Sequence, residues 1–428
     1  MTSLKKNQNS HTVRKNCILC NSNKLENILP LYNCRLPDLY LNNPSEKNGL
    51  NKKYNFSVYM CKKCSHLQLK TIMKKEYTWG NYFFKTGTKM ANNNHYDKYV
   101  DSVFKFYRKK IHNVLDIGSN DGFLLKIFKK KKVPYVLGVD ASAEISKLAN
   151  KDKIKTINDY FNLKSSRNIA KKYNKKFDVI TANNVFGHNP DLDSFAKGVK
   201  NLMTDESIFV TEISYSPTIL KKNYFLGTVF HEHTSYHSLT PLKTFLEKLN
   251  LKIIKCEPNE LQGGSLVCFI AKSNSKFKVD KSVSRILKQE KKDGFLNPKK
   301  IKKYLKKLET LKKNLDKKIS KIYQKKNKNI FAFGSSVSST SFFTYFNLTG
   351  KVDFIIDDNP SKQGMYHACG STPIYSSSYL DKLTDYYGII FAWEHNSKIV
   401  KKFSKFISKN SGFIELFPKV KIIDKNNR

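Results

Sequence analysis

The spacing of apolar residues changes several times along the chain, and each spacing is typical of a different element. The largely apolar runs Val114–Ile117 and Phe177–Ala182 are typical of strands buried on both faces of a parallel sheet. The first run is followed by the turn "GSNDG" and by "FLLKIFKK", whose apolar residues recur at helical spacing. Strand, turn and helix in this order predict the first crossover of a doubly wound α/β sheet.

A long helical segment follows between Asn297 and Lys328. Asn297 suits the N-cap position and Pro298 suits the first turn. Apolar residues then recur every three or four positions, at Ile301, Tyr304, Leu305, Leu308, Leu311, Leu315, Ile319 and Ile322. The other positions are mostly lysine. They form either a nucleic-acid-binding stripe or, as we expect, the solvated face of a helix that bridges two domains.

A second alternation of strand, turn and helix follows this helix. It comprises "NIFAFGSSVSSTSFFTYF" and "VDFIIDDNPSKQG", and "YGIIFAW" and "GFIELFP" supply two further strands. The pattern predicts a second Rossmann-like unit at the C-terminus. Two interpretations of this unit stay open. The turn at Gly334–Ser336 either receives a diphosphate on backbone N–H groups, or the unit only closes a substrate cleft.

The chain of 428 residues carries 78 Lys and Arg against 35 Asp and Glu, a formal net charge of +43. Such an excess favours an anionic partner, but the lysines are spread over nearly every predicted surface, which indicates a general composition bias. No apolar run approaches the ~20 residues of a membrane span. The N-terminal segment lacks the apolar core of a signal peptide. We therefore expect a cytoplasmic protein whose cysteines are reduced.

Four of the eight cysteines form two CxxC pairs, Cys17 with Cys20 and Cys61 with Cys64. Two such turns can close a tetrahedron of thiolates around Zn²⁺, and a site with four protein ligands is structural rather than catalytic. The alternatives are a redox pair or four unrelated thiols. A zinc module of this size is too small for an independent enzyme domain, so we expect a lid or a docking module.

The turn after the first strand suits a nucleotide cofactor. Gly118 and Gly122 allow a ligand to approach the backbone closely. Asp140 ends the next strand, where a carboxylate can accept both hydroxyls of a ribose. Neither feature separates NAD from S-adenosylmethionine (SAM), although GxxxG spacing in place of GxGxxG weakens the dinucleotide interpretation. Asn183, Asn184 and His188 follow a later strand, at the edge of the sheet where ligands bind.

The stretch "VFHEHTSYHS" places Glu232 between His231 and His233. As core residues these side chains would be costly, because a buried carboxylate needs partners. As a metal site they lack the HExxH spacing that puts two imidazoles on one helical face. As an acid–base cluster they fit a proton transfer at neutral pH, since the histidine pKa lies near the operating pH and a neighbouring carboxylate can fix the tautomer.

In combination, "VLDIGSNDG", "DVITANNVFGH", "HEHTSY" and "GGSLV" resemble the three-domain SAM-dependent C-methyltransferases of nucleotide-linked keto-deoxysugars. The resemblance extends from Cys17 to the C-terminal unit. It implies an α/β protein with a class I methyltransferase doubly wound sheet, a small N-terminal zinc-binding domain and a C-terminal Rossmann-like α/β domain. We expect a disordered lead-in at 1–14, the zinc domain at 15–75, the methyltransferase domain at 76–275, a lysine-rich helical bridge at 276–328 and the Rossmann-like domain at 329–428.

The resemblance also implies roles for individual residues. His233 is expected to remove the proton next to the ketone, with Glu232 orienting it and His188 stabilising the enolate or positioning the substrate. Tyr82 resembles the aromatic residue that closes over the site. The expected SAM-binding residues are Asp116, Gly118, Asn120, Gly122, Asp140, Asn183 and Asn184, and the expected ligands of a structural Zn²⁺ are Cys17, Cys20, Cys61 and Cys64.

Three positions depart from the family pattern. Phe230 stands where a tyrosine is usual, Val267 where arginine is frequent, and "GSSVSS" lacks a lysine that the corresponding turn normally includes. These departures affect the expected substrate more than the expected reaction. The alternatives are an RNA methyltransferase that grips phosphates with its zinc module and basic surface, and a scaffold that binds the cofactor without turnover. Dispersed lysines argue against the first, and the intact motifs argue against the second.

Overall fold

The computed structural model describes residues 10–37, 39–43, 52–78, 86, 94–324 and 329–426. The N-terminal module contains six short strands, which are β1 His11–Val13, β2 Leu25–Leu29, β3 Tyr40–Leu41, β4 Val58–Cys61, β5 Leu67–Leu69 and β6 Thr71–Met73. Strand β1 pairs antiparallel with β6. Part of the segment expected to be a disordered lead-in is therefore a strand, held by its ladder to β6.

The central part of the chain forms a seven-stranded sheet. Its strands are β7 Asn113–Ile117, β8 Tyr135–Asp140, β9 Thr156–Asn158, β10 Phe177–Thr181, β11 Met203–Ser214, β13 Leu251–Asn259 and β14 Ser265–Lys272, and the short β12 Ser235–Tyr236 lies outside the sheet. The spatial order is β13-β14-β11-β10-β7-β8-β9. The five strands from β11 to β9 are parallel, whereas β14 runs antiparallel to both of its neighbours.

Helices connect these strands and lie beside them: α1 His95–Tyr107, α2 Phe123–Lys130, α3 Ala143–Lys151, α4 Leu163–Tyr173, α5 Leu192–Leu202, α6 Ser216–Lys221 and α7 Leu239–Lys248. The strand order reverses at β7, with β8 and β9 on one side of it and β10 and β11 on the other. The carboxyl ends of β7 and β10 therefore leave a crevice of the kind where ligands bind in open α/β sheets. The expected class I methyltransferase fold is confirmed.

Two helices make up the expected bridge, α8 Lys281–Asp293 and α9 Pro298–Tyr323. The Asn297 side chain accepts a hydrogen bond from the backbone N–H of Lys299 and so caps α9 as expected. Helix α8 packs on β13, and its buried Glu290 accepts hydrogen bonds from Tyr215 and Leu239 of the central domain. The first half of the bridge therefore packs as part of the central domain.

The C-terminal unit is a mostly parallel sheet with helices α10 Ser339–Tyr345 and α11 Asn396–Lys402. Its strands are β15 Asn329–Phe333, β16 Ile355–Ile356, β17 Tyr366–His367, β18 Thr372–Tyr375, β19 Tyr386–Ile390, β20 Gly412–Glu415 and β21 Lys421–Ile423. Strand β3 of the N-terminal module extends this sheet by pairing antiparallel with β17. In a similar way, β12 of the central domain pairs with β5 of the N-terminal module.

One hydrophobic core is shared by all parts of the chain. It contains the α9 stripe together with residues of the N-terminal module such as Phe56, of the central domain such as Phe225, and of the C-terminal unit such as Phe342. Because the stripe of α9 faces this core on one side, its lysines are left for the solvent. The helix therefore forms a structural joint between the parts of the chain that share this core.

Replacing Leu308 by Ala tests this joint. Leu308 is fully buried at the middle of the stripe, so we expect a loss of about 2–5 kcal/mol in the free energy of unfolding. Urea unfolding followed by circular dichroism measures the loss. Lys313→Ala, on the exposed face of the same helix, is the control and should change stability by less than about 0.5 kcal/mol. Equal effects of the two substitutions would contradict the packing described here.

Candidate active site

A cleft of about 440 Å³ lies at the carboxyl ends of the central strands, within the usual size range of small-molecule sites. The residues that line it include the expected cofactor residues Asp116, Gly118, Asn120, Asp140, Asn183 and Asn184, and the expected catalytic residues His188, Glu232 and His233. Ser336, Trp393 and His395 of the C-terminal unit line it as well. The structure therefore brings the expected cofactor residues other than Gly122, and the expected catalytic residues other than Tyr82, into one cleft.

The turn after β7 is shaped by two glycines with positive φ. At Gly118 (φ +69°), a Cβ atom would lie 2.2 Å from a methyl carbon of Val185, so no side chain fits there. At Gly122 (φ +76°), a Cβ atom would lie 2.8 Å from Ile154. Gly118 lines the cleft, whereas Gly122 lies behind it at the start of α2. Gly122 thus serves close packing of the turn rather than close approach of a ligand.

Asp140 is held at the tip of β8 by the backbone of the neighbouring turns. Its two carboxylate oxygens accept hydrogen bonds from the N–H groups of Asn120 (2.9 Å) and Ser142 (2.8 Å). Burial raises the pKa of Asp140, and the two N–H groups oppose that shift. Each carboxylate oxygen has a second lone pair. Asp140 can therefore accept hydroxyl hydrogen bonds from a ribose without losing its fixed orientation.

Asp116 lies beneath the turn and is buried. The Thr181 hydroxyl donates to its carboxylate at 2.6 Å. Burial raises the pKa of Asp116 to about 7, while the Thr181 hydrogen bond lowers it and the charge of Asp140 raises it. A cationic ligand placed in the cleft would favour the ionised form of this carboxylate.

Asn183 and Asn184 follow β10 and are fixed by strand β11. The side-chain oxygen of Asn183 accepts from the Glu212 N–H at 3.0 Å, and the Asn184 N–H donates to the Glu212 carbonyl oxygen at 2.8 Å. Asn184 adopts a left-handed backbone conformation (φ 56°). Its buried side-chain oxygen has no hydrogen-bond partner among the described residues. Such an acceptor, lining the cleft, fits a ligand that carries N–H donors.

His233 has a defined tautomer. Its Nδ1 lies 2.7 Å from the carbonyl oxygen of Thr228. Because a carbonyl can only accept, Nδ1 carries the proton and Nε2 carries a lone pair. The Phe230 ring lies against the imidazole with 3.9 Å between the ring centroids. Burial lowers the pKa of His233 to about 4, despite the opposing effect of the Thr228 hydrogen bond. His233 is therefore neutral at pH 7.

The expectation that Glu232 orients His233 needs correction, because the contact that sets the tautomer comes from a carbonyl. The fold of the chain brings the carbonyl oxygen of Thr228, five residues earlier, next to Nδ1 of His233 and so makes it the partner in place of Glu232. Glu232 instead lies 3.7 Å from Nδ1 of His188 and 3.9 Å from Nε2 of His231. The His188 ring stands nearly perpendicular to that of His233, with 4.7 Å between the centroids. Burial, followed by the charges of His233 and His231, lowers the pKa of His188 well below its usual value.

The metal interpretation of "HEH" gains no support from the geometry. Within the ranges that the structure describes, the one group of three or more His, Cys, Asp or Glu side chains arranged to hold a metal ion is that of the four cysteines. Tyr82, the expected aromatic cover, lies outside the described residues.

Two family models match the chain next to each other. The "methyltransferase domain" model matches residues 90–255, and the "C-methyltransferase C-terminal domain" model matches residues 260–418. The chain is also 24% identical over 373 residues to the C-methyltransferase NovU from Streptomyces niveus, covering 86% of this chain and 88% of NovU. The chain is therefore a SAM-dependent methyltransferase with a C-terminal domain of the kind found in C-methyltransferases.

Solved methyltransferase structures are similar to part of the chain. The plantazolicin methyltransferase BpumL, in complex with SAH, covers 44% of this chain and 90% of its own, with 14% identity and a TM-score of 0.36. A SAM-dependent methyltransferase from Clostridium acetobutylicum ATCC 824 covers 44% of this chain and 96% of its own, with 14% identity and a TM-score of 0.35.

The two CxxC turns of this methyltransferase face each other. The Sγ atoms of Cys17 and Cys64 are 3.5 Å apart, as are those of Cys20 and Cys61. All four Sγ atoms lie within 4.8 Å of one another. In a tetrahedron with Zn–S bonds of about 2.3 Å, the sulfur atoms are about 3.8 Å apart. The four thiols therefore fit a tetrahedral metal ion.

Several cleft residues were missed by the sequence analysis. They are Thr228, Tyr96, Asp159, Tyr160, Gln262, Trp393 and His395. Asp159 and Tyr160 follow β9 directly, and recognising "TIN" as a short strand could have placed them at the same sheet edge. The role of the Thr228 carbonyl carries no sequence signal, since any residue supplies a carbonyl. Across the described ranges, no helix combines the length and the apolar content that a bilayer crossing requires.

The buried histidines predict loss of stability in acid. Burial lowers the pKa of His231 and His367 to about 3, and that of His233 and His237 to about 4. In the unfolded chain these groups take up protons below about pH 6.5. The unfolded state then binds more protons, so stability should fall as the pH drops from 6.5 towards 4, by up to about 1.4 kcal/mol per pH unit for each histidine.

Urea unfolding at several pH values measures this slope. The variant His367→Gln removes one buried histidine that lies away from the cleft. Its free energy of unfolding should therefore fall less steeply with decreasing pH, by about 1.4 kcal/mol per pH unit, which is the contribution of one proton. An unchanged slope in this variant would show that the buried histidines do not cause the acid lability.

Proposed function

We propose that the enzyme methylates a ring carbon of a nucleotide-linked 4-keto-6-deoxysugar, with His233 as the general base. The observation that carries this proposal is the fixed tautomer of His233, whose Nε2 lone pair lies in a buried cleft shared with the cofactor residues. The similarity to a C-methyltransferase over most of the chain supports transfer to carbon. Carbon next to a ketone becomes nucleophilic only after it loses a proton, so a base is required.

His233 is suited to this step in two respects. It is neutral at pH 7, because burial lowers its pKa to about 4. Its Nδ1–H is held by Thr228, so Nε2 can take the proton without a change of tautomer. The low pKa also makes it a weaker base than we expected from the sequence. Stabilisation of the imidazolium and of the enolate in the cleft would have to offset this difference.

Glu232 and His188 supply that stabilisation in our proposal. The carboxylate of Glu232 belongs to the same buried cluster, so its negative charge favours the imidazolium that forms on His233. His188 is neutral and lies 4.7 Å from His233 between the ring centroids. A neutral imidazole can donate one N–H, and we assign that donor to the enolate oxygen. Hydrogen bonds of this kind are worth roughly 10²- to 10³-fold in rate.

SAM supplies an electrophilic methyl group on a sulfonium. Asp140 would accept the ribose hydroxyls, and the buried oxygen of Asn184 would accept from an N–H donor of the cofactor. Asp116, Gly118, Asn120 and Asn183 shape the turn and the strand ends around it, while Gly122 supports them from behind. Holding cofactor and substrate in one cleft would allow a single in-line displacement, in which the enolate carbon bonds to the methyl carbon as the methyl–sulfur bond breaks and the neutral thioether leaves.

The first test is a methyl-transfer assay with SAM and nucleotide-linked 4-keto-6-deoxysugars, read by mass spectrometry. A product heavier by one methylene, with the new methyl mapped to a ring carbon, would support the proposal. Methylation of cellular RNA in place of the sugars would overturn it and favour the alternative. No methylation of either substrate by a SAM-binding protein would overturn it in favour of a scaffold.

The variant His233→Ala tests the base. We expect turnover to fall roughly 10²- to 10⁴-fold, with SAM binding unchanged by calorimetry because His233 contacts the substrate rather than the cofactor. Added imidazole should restore part of the activity by entering the space of the lost ring. His112→Ala, at an exposed histidine, is the control. Turnover near the normal value in His233→Ala would exclude His233 as the base.

We also propose that Cys17, Cys20, Cys61 and Cys64 hold one structural Zn²⁺. The eight cysteines form no disulfide bond with one another, and we propose a cytoplasmic location, where thiols stay reduced and able to bind metal. Metal analysis should find one zinc per chain, and Cys61→Ser should lose it and lower the thermal midpoint. Cys34→Ser, at a buried cysteine outside the cluster, is the control and should keep the metal. Full metal content in Cys61→Ser would contradict this site.

A further inference from the structure

A second pocket opens beside the catalytic cleft. Its volume is about 1100 Å³, and it lies between the end of α6, the middle of α9 and the loops before α11 and β21. Leu261, Gln262, Trp393, Glu394 and His395 line both this pocket and the cleft. A ligand can therefore occupy both cavities at once by passing over these shared residues.

The second pocket is cationic. Five lysines and two glutamates line it, namely Lys221, Lys222, Lys307, Lys398, Lys419, Glu260 and Glu394. Lys221 pairs with Asp293 at 2.7 Å, and Lys222 pairs with Glu260. The remaining three lysines form no salt bridge with a carboxylate in the part of the chain that the structure describes. Three such charges around one cavity favour an anion of high charge density.

The turn at Gly334–Ser336 of the C-terminal unit is the other candidate site for such an anion, but two of its backbone N–H groups already donate hydrogen bonds within the protein. The N–H of Gly334 donates to the Ile356 carbonyl oxygen, and the N–H of Ser335 donates to the Asp357 carboxylate, both at 2.7 Å. Lys362 donates to the Ser335 carbonyl oxygen. A carboxylate at the turn repels a phosphate, and two of the N–H groups are already used. The lysine-lined pocket is therefore the better site for a diphosphate.

Aromatic side chains complete the pocket. Tyr224 and Trp393 are stacked, with 4.8 Å between their centroids and 22° between their planes. Gly263 fits against this pair, since a Cβ there would lie 3.1 Å from both rings. Next to it, Gln262 adopts a left-handed conformation (φ 51°) that is costly for a residue with a side chain. Its side-chain oxygen accepts from Ser214, which leaves the amide N–H₂ as a donor.

We propose that the second pocket receives the diphosphate and nucleoside of the sugar-nucleotide substrate. Lys307, Lys398 and Lys419 bind the diphosphate, and the aromatic pair contacts the nucleoside. The sugar extends over Gln262 and Trp393 into the cleft, where it meets His233. This inference rests on the proposed function, and it assigns the part of the substrate that does not react to residues outside the catalytic cluster.

Paired variants test the assignment. Lys307→Ala with Lys398→Ala removes two pocket lysines, whereas Lys306→Ala with Lys401→Ala removes the same charge from the same two helices outside the pocket. We expect the first pair to raise the KM for the sugar nucleotide about 10- to 100-fold, with a smaller change in kcat, because each lysine contributes about tenfold through charge-assisted contacts. SAM affinity by calorimetry should be the same in both pairs.

Calorimetry of the intact enzyme with thymidine diphosphate, uridine diphosphate and inorganic pyrophosphate gives an independent measurement. We expect a nucleoside diphosphate to bind the unmodified enzyme and the control pair, to bind the first pair at least tenfold more weakly, and to lose affinity as salt is added. Pyrophosphate binding as tightly as either nucleotide would overturn the assignment of the nucleoside to the aromatic pair. Equal nucleotide affinity in the two pairs would overturn the pocket.

The two proposals fail in different ways. If nucleotide-linked sugars are methylated but the two variant pairs behave alike, the pocket is wrong and the function stands. If nucleoside diphosphates bind through the pocket lysines but no sugar is methylated, the proposed substrate is wrong and the pocket stands.

Discussion

The structure depends on the burial of one apolar helix face. The stripe of α9 packs against the N-terminal module, the central domain and the C-terminal unit at the same time. Each of these parts contributes a wall or a support to the catalytic cleft, so their relative placement is set by one continuous hydrophobic core. Burial is non-directional, but close packing makes it specific, because each apolar side chain must fit the space that three domains leave. The packing of this core therefore determines the shape of the cleft.

The elements with strong periodicity could be predicted from the sequence. The α9 stripe, the turn after β7 and the two CxxC pairs each carry a local pattern with a physical cause, and each forms the expected element. The class I sheet followed in the same way. The strands β3 and β12 could not be predicted, because each has two residues and is stabilised by an edge supplied by another domain. The strand at His11–Val13 was missed because it has only three residues and is held by its pairing with β6, some 60 residues later in the same module.

At the site, side chains could be predicted and backbone partners could not. The motif placed His233 beside Glu232, but the choice between a carboxylate and the Thr228 carbonyl as its partner depends on how the chain turns. Burial then changes the chemistry, because it moves the pKa of His233 away from the value assumed for an exposed imidazole. The free energy cost of desolvating a charge depends on how deeply the tertiary structure buries it. Sequence proximity gives no measure of it.

The pairing of β3 with the C-terminal sheet bears on how such enzymes can be recombined. Tyr40 lies on β3, and its hydroxyl donates to the Ser335 carbonyl oxygen at the turn of the C-terminal unit. A chimaera that exchanges only the C-terminal half with a relative would place a foreign sheet edge and a foreign turn against Tyr40. The segment around Tyr40 and the C-terminal unit form one module, although some 300 residues of sequence separate them. Substrate range in this architecture would therefore be inherited, or transplanted, with both segments together.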